Sequence, residues 1–347
     1  VSLSIAGRPI GPEHPPYVIA EMSGNHNGDI GRALALIEAA QGAGADAVKL
    51  QTYTADTITI DHDGPGFVIK GGLWDGRRLY ELYEEAHTPW DWHPRLFEHA
   101  AKLGITVFSS PFDPTAVAFL EGLGAPAYKV ASFEIVDTPL IAAMAATGKP
   151  LIISTGLASP ADIEDAVAAA RGAGGRDMVL LHCVSGYPTP HAQMHLRTLV
   201  DLAATYGVDV GLSDHSMGTA ASVTAIALGA CVIEKHFTLA RADGGPDSAF
   251  SLEPDELARL VADCRNAWSA LGSVRYEEVE AEAASREHRR SLYVVADVAR
   301  GEALTPANVR SIRPGFGMPP KQLHAVLGRR AVRDLKRGEP LAWDMLG

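Results

Sequence analysis

Two histidines in this chain are spaced so that they could share one metal ion. Ser213-Asp214-His215 and Glu234-Lys235-His236 each end a short apolar run that opens on a glycine-rich turn. The runs lie about twenty residues apart, as neighbouring strands of a barrel do when their ends converge on one mouth. Val48-Lys49-Leu50-Gln51 and Tyr128-Lys129-Val130-Ala131-Ser132 deliver two lysines from similar strand ends. An ammonium inside a buried strand needs countercharge, and an anionic ligand would supply it. A metal and an anion could therefore meet at one site, which reads as an enzyme.

The elements that must position these side chains form a regular series. Apolar runs at 17–22, 47–53, 106–110, 127–132, 150–155, 178–183, 209–213 and 231–236 read as strands. Most follow a glycine able to end a helix in the left-handed conformation, as at Gly44, Gly104, Gly124 and Gly207. Stretches such as 30–43 and 160–171 carry Ala and Leu at helical spacing, and 254–271 reads as the last helix of the series. An open doubly wound sheet shows the same alternation, but eight strands within roughly 250 residues favour a closed (β/α)8 TIM barrel. We therefore expect an α/β barrel domain over 1–272, a Glu- and Ala-rich linker over 273–288 and a small β-rich domain over 289–347. In that last domain 291–296 is strand-like and Thr305-Pro306 is expected to open a short helix. The insertion 54–76 follows the second strand, where inserted loops form lids or specificity walls.

Composition narrows the function. The chain has 347 residues, 47% apolar and 21% charged, with a net charge of −12. That balance argues against nucleic-acid or anionic-membrane surfaces, so an anionic substrate must find a local positive cluster such as Lys49 and Lys129. Cys183, Cys231 and Cys264 show no CxxC spacing and are odd in number, which argues against a disulfide framework. No apolar run is long enough to span a membrane and the first residues lack a charged leader, so a cytoplasmic setting is expected. The glycines over 24–28 match neither the P-loop nor the dinucleotide spacing, which argues against ATP and NAD. His182 and Cys183 are chain neighbours on opposite strand faces and read as core.

Several segments together resemble the sialic acid synthase family over nearly the whole chain. They are Glu21-Met22-Ser23-Gly24-Asn25-His26-Asn27-Gly28, Lys49-Leu50-Gln51-Thr52-Tyr53, Tyr128-Lys129-Val130-Ala131-Ser132-Phe133-Glu134, Ser154-Thr155-Gly156, Tyr187-Pro188-Thr189-Pro190, Ser213-Asp214-His215-Ser216, Glu234-Lys235-His236-Phe237 and Arg313-Pro314-Gly315. Within the family, the runs GGLWDGRRLYELYEEAHTPWDWH and GGPDSAFSLEPDE are most similar to the branch that forms pseudaminic acid. Val184-Ser185-Gly186 stands before the Tyr-Pro turn where the N-acetylneuraminate branch has Asn, which argues against a pocket for N-acetylmannosamine.

The resemblance implies a (β/α)8 barrel followed by an antifreeze-like domain. It also implies condensation of phosphoenolpyruvate with an open-chain amino-sugar aldehyde, here 2,4-diacetamido-2,4,6-trideoxy-altrose, with release of phosphate by C–O cleavage. His215 and His236 would bind Mn²⁺ or Mg²⁺ beside the aldehyde oxygen, where negative charge develops. Glu21 would be the general base for water, or would only pair with Lys49 or Lys129. Glu234 would orient a ligand or a lysine. Lys49, Lys129, Ser110, Ser132, Ser154 and Ser213 match the family's anion-binding positions, although serines there also cap helices. Gln51, Tyr187 and Asp247 match acceptor contacts. Trp74, Trp90 and Trp92 would wall the sugar site or pack the insertion. Arg313 would reach the barrel mouth of a partner in a domain-swapped homodimer, or lie on a surface turn. A Schiff-base aldolase using Lys49 or Lys129, the same condensation on N-acetylmannosamine or a legionaminate precursor, and a carbohydrate-binding role are the alternatives.

Overall fold

A computed structural model describes residues 3–347, as two compact units that meet in sequence at Gly272 and Ser273. In the first, eight parallel strands close on themselves: β1 (Tyr17–Glu21), β2 (Ala47–Thr52), β3 (Thr106–Pro111), β4 (Tyr128–Val130), β5 (Leu151–Ser154), β6 (Met178–Cys183), β7 (Asp209–Ser213) and β8 (Val232–His236). Closure comes from β8 pairing with β1, Val232 opposite Tyr17 through to His236 opposite Glu21. The expected barrel and all eight expected strands are present, shifted at their ends by no more than two residues.

A helix follows each strand: α1 (Ile30–Gly42), α2 (His93–Leu103), α3 (Pro114–Gly122), α4 (Thr138–Ala145), α5 (Pro160–Gly172), α6 (Thr198–Tyr206), α7 (Ala220–Ala227) and α8 (Pro254–Leu271). Local chemistry sets their ends. Asp29, Asp113, Asp137 and Ser159 each accept hydrogen bonds from the first-turn amides of α1, α3, α4 and α5. Gly104 and Gly207 end α2 and α6 at φ of 72° and 62°, a conformation that favours residues without a Cβ. The insertion runs further than its glycine-rich part suggests: short helices Ala55–Ile58 and Leu79–Ala86 carry it to the start of α2.

The strands alternate inward and outward, and each inward row changes character along its length. Tyr17, Ile19, Ala47, Phe108, Ala127, Ile152, Val179, Leu181 and Val232 form an apolar cluster in the lumen. One step further along the same rows, Glu21, Lys49, Lys129, Ser154 and Glu234 line a cavity. Leu3, Ile5 and Ile10 belong to the same apolar cluster, so the hairpin Ser4–Ile5 with Arg8–Pro9 stoppers the base. The outward rows pack in a larger cluster with the helices, Leu50 and Val130 among Leu36, Leu96 and Leu140.

In the second unit, β9 (Ser291–Val294) pairs antiparallel with β10 (Val309–Ile312). Isolated bridges such as Val298 to Leu335 extend the pairing over a small core of Leu292, Val298, Leu304, Val326 and Leu341. The helix expected at Thr305-Pro306 is not formed. Asn308 Oδ1 accepts from Thr305 N at 2.7 Å, and this closed turn passes straight into β10. The stretch expected as a linker is exposed and holds a 3₁₀ helix, Glu280–His288. Among the described residues no helix is long and apolar enough to cross a membrane.

Gly211 shows how closely the lumen is filled. A Cβ there would stand 2.4 Å from Val232 O and 2.5 Å from Leu181 Cδ2. Gly211→Ala should therefore lower stability by about 2–3 kcal/mol in urea denaturation, since backbone must move to admit the methyl group.

Candidate active site

The polar upper rows enclose a cavity of about 490 Å³. Its floor is a chain of four charged groups. Lys49 Nζ lies 2.7 Å from Glu21 Oε2 and 3.7 Å from Glu234 Oε1, while Lys129 Nζ lies 3.9 Å from the same Glu234 oxygen. Glu234 thus stands between two ammonium groups, as expected of a residue that orients lysines. The Glu21–Lys49 ion pair weighed against a general-base role is also present. Burial pulls the Lys49 pKa down, but Glu21 and Glu234 outweigh it and the balance is upward. Lys129 goes the other way: burial prevails, and its pKa falls.

The carboxyl groups respond to the same burial. It raises Glu21 to about 7 against the opposing pull of Lys49, with the Glu234 charge adding to the rise. Gln51 Nε2 donates to Glu21 Oε1 at 2.8 Å and to Ser23 Oγ at 3.2 Å. Ser23 in turn donates to Asp247, whose pKa burial also raises.

The two imidazoles face each other, with ring centroids 5.4 Å apart. His215 Nδ1 donates to Val184 O at 3.0 Å, leaving Nε2 for a ligand. Burial lowers its pKa, but the Cys183 sulfur and the Val184 carbonyl raise it, and the balance is upward. His236 is held well below the ordinary range by burial and then by the neighbouring cationic groups. Its Nδ1 is buried without a hydrogen-bond partner, 4.0 Å from Asp247 Oδ2. A neutral imidazole with an unused ring nitrogen suits a cation, so the donors fit a metal taking one nitrogen from each histidine. No group of three or more His, Cys, Asp or Glu forms a metal cage among the described residues. The remaining ligands would be water and substrate oxygens, as in sites that keep open positions.

The serines divide. Ser154 Oγ is buried with no partner, and Ser132 Oγ accepts from Gly156 N at 3.2 Å. Ser213 Oγ lies 3.5 Å from Glu234 Oε1. All three line the cavity, and none caps a helix. Ser110 does not line it: it is fully buried opposite Gln51, and its Oγ accepts from Lys49 Nζ at 3.3 Å. Tyr187 forms the rim, its ring 4.5 Å from His215 and 5.7 Å from Trp74. Trp74 reaches the wall, whereas Trp90 stacks on Phe119 and Trp92 packs on His26 beneath the insertion. Arg313 is an exposed residue of the second unit, just after β10.

Two participants escaped the sequence reading. Cys183 is not simply core. His182 bonds outward to Met194 O, whereas Cys183 Sγ lies 3.8 Å from His215 Nδ1 and 3.3 Å from Ser132 Oγ. Burial raises the thiol, but the hydrogen bond and charge of His215 prevail and bring it to about 7. Its strand register carried the signal, since Cys183 sits opposite Ser213 and shares its inward row. Glu134 is the other. Burial raises it to about 7 against the pull of Lys129, and its Oε2 is buried without a partner on the cavity wall.

Comparison with known proteins identifies the family. Residues 36–276 match the NeuB family and residues 289–347 match the SAF domain. A pseudaminic acid synthase of Campylobacter jejuni serotype O:2 is 46% identical over 325 residues, 94% of this chain and 95% of that protein. A pseudaminic acid synthase of Helicobacter pylori is 43% identical over 334 residues, 95% of this chain and 97% of that protein. The crystal structure of an N-acetylneuraminic acid synthetase from Leptospira borgpetersenii superposes with a TM-score of 0.73 at 32% identity, covering 83% of this chain and 96% of that one.

The charged floor is testable without any substrate. Lys49→Met removes the cation that opposes burial, so Glu21 should titrate above its value of about 7, read from carboxyl resonances of ¹³C-glutamate-labelled protein. A midpoint that stays near 7 would mean that Lys49 does not hold it.

Proposed function

Because this chain belongs to the NeuB family, we propose that it joins phosphoenolpyruvate to open-chain 2,4-diacetamido-2,4,6-trideoxy-altrose, forming pseudaminic acid and phosphate. The coarser activity, a phosphoenolpyruvate-dependent synthase that makes a nonulosonic acid, follows from relatives 43–46% identical over nearly all of the chain. One observation carries the reading. Two buried lysines, their carboxylates and two facing imidazoles line a single cavity large enough for a three-carbon acid and a sugar.

Phosphoenolpyruvate brings a carboxylate and a phosphate to a floor already built around cations. Lys49 stays an ammonium through its two carboxylates, and an arriving anion would add to the countercharge that Lys129 has only from the shared Glu234 at 3.9 Å. The Ser132, Ser154 and Ser213 hydroxyls face the same space and would donate to phosphate or carboxylate oxygens. A divalent cation, Mn²⁺ or Mg²⁺, held by His215 and His236 would polarise the aldehyde carbonyl. Attack by the enol carbon leaves the phosphate-bearing carbon electron-poor, and water adds there before the C–O bond to phosphate breaks. Glu21, poised at about 7, suits removal of the proton from that water.

The acceptor reading is supported by the wall that the insertion provides. Ile58, Ile69, Leu79 and Leu82 set hydrocarbon on the cavity. A methyl group is well placed against them, whereas a hydroxymethyl oxygen would lose hydrogen bonds it makes in water. Gln51, Tyr187 and Asp247 would bind the hydroxyl and acetamido groups.

A homodimer in which Arg313 of one copy completes the cavity of another belongs to the same reading. Charge supports it: residues 1–272 hold 32 Asp and Glu against 17 Lys and Arg, whereas 289–347 hold 11 Lys and Arg against 5 Asp and Glu. A cytoplasmic setting is supported by Cys183, Cys231 and Cys264, all free and buried.

Phosphate release with a panel of 2,4-diacetamido-2,4,6-trideoxy-altrose, the legionaminate precursor and N-acetylmannosamine tests the acceptor. The first should give the highest kcat/KM, and chelation of metal should stop turnover. Inactivation by borohydride with pyruvate alone would point instead to a lysine Schiff base. His236→Ala should abolish turnover while keeping a cooperative thermal transition. In the wild-type chain kcat/KM should rise with pH and level off above about 7, where Glu21 has lost its proton. Glu21→Gln should remove that limb and lower kcat by about 10²–10⁴.

A further inference from the structure

The residues just before the two histidines are also charged, and they serve no role in the cavity. Asp214 and Lys235 are each 1% exposed, and neither lines the site. Lys235 Nζ donates to Asp214 Oδ2 at 2.8 Å and to Ser216 O at 2.6 Å. Asp214 Oδ1 accepts from the amide of Ser216 at 2.8 Å and from its hydroxyl at 2.7 Å. Asp214 Oδ2 also accepts from Ser222 Oγ, on α7, at 2.7 Å. The pair therefore lies on the outward side of β7 and β8, behind the imidazoles.

An isolated buried ion pair is a poor source of stability, because hydrocarbon of the same volume often serves as well or better. Its distinctive property is direction. His215 lies beyond the end of β7, where the ladder no longer holds the chain. Lys235 ties down the residue on either side of it, Asp214 through the carboxylate and Ser216 through the carbonyl. Lys235 is also the residue that precedes His236. The segment carrying one imidazole is thus fastened to the residue that aims the other.

We propose that Asp214 and Lys235 are positioning residues that hold the His215 and His236 rings at a separation one divalent cation can bridge. This rests on the reading that the two histidines bind metal.

The test uses the full chain carrying Asp214→Asn with Lys235→Met, which removes both charges at similar volume. Mn²⁺ affinity is measured by the electron spin resonance of free Mn²⁺, phosphoenolpyruvate affinity by calorimetry without metal, and folding by thermal denaturation. We expect a cooperative transition, unchanged phosphoenolpyruvate affinity and Mn²⁺ binding weakened about tenfold or more, as when the partners of ligating histidines are lost. Should the double variant not fold, Ser222→Ala removes one hydrogen bond to Asp214 and should weaken Mn²⁺ about threefold. Mn²⁺ affinity equal to wild type in a folded variant overturns the proposal, as does parallel loss of both ligands, which would make the pair a general support of the barrel mouth. A wild-type chain that takes up no Mn²⁺ refutes the metal reading itself.

Discussion

Two ammonium groups inside a barrel can be tolerated only if carboxylates accompany them, and the site is organised around that constraint. Glu21 and Glu234 come from β1 and β8, which pair, and Lys49 comes from β2 on the other side of β1. Closure of the sheet is what brings them together, since Glu21 and Glu234 are far apart in sequence. Removing one member of such a buried pair leaves its partner uncompensated, at a cost of about 3–5 kcal/mol. The same burial that makes the group costly also makes it reactive. It lifts Glu21 and Glu134 to about 7 and keeps His236 neutral, so the cavity holds proton acceptors of the strength that neutral-pH chemistry needs.

Much of this was legible from residue order because a parallel barrel repeats one rule. Strands of three to six residues bounded by glycine turns and capped helices leave little freedom in register, and strand ends are where side chains reach the mouth. Lys49 and Lys129 stand within their strands, His236 ends β8 and His215 lies two residues beyond β7, and all four line the cavity. Residue order is less informative where the decisive contact comes from a neighbouring strand or from a residue further along the chain. Ser110 is near a strand end, yet it is buried against the Lys49 ammonium of the adjacent strand and outside the cavity lining. Cys183 reads as core with His182 because chain neighbours on a strand face opposite ways, and its alignment with Ser213 is what sets it beside His215. Thr305-Pro306 carried a helix-opening signal, but three residues do not reveal that Asn308 will close the turn first.

The insertion after β2 shows a different division of labour. Its anchors are aromatic: half-buried Trp92 against buried His26, buried His93 hydrogen-bonded to Thr52 at 2.9 Å, and half-buried Trp90 stacked on Phe119. Its free side presents Ile58, Ile69, Trp74, Leu79 and Leu82 to the cavity. The barrel strands thus supply charge and hydrogen bonds, while the added segment supplies shape and hydrocarbon. Charge and hydrocarbon lie on separate stretches of chain, so the second can change without disturbing the first.

The stoppered base has a consequence for traffic. Among the described residues, Leu3, Ile5 and Ile10 plug the far end of the lumen, which leaves the strand-end face as its doorway. A ligand that reaches Lys49 and Lys129 would share the cavity with the two histidines. A ligand seated at Tyr187 would then sit over one held at the lysines, and both would leave by that same face.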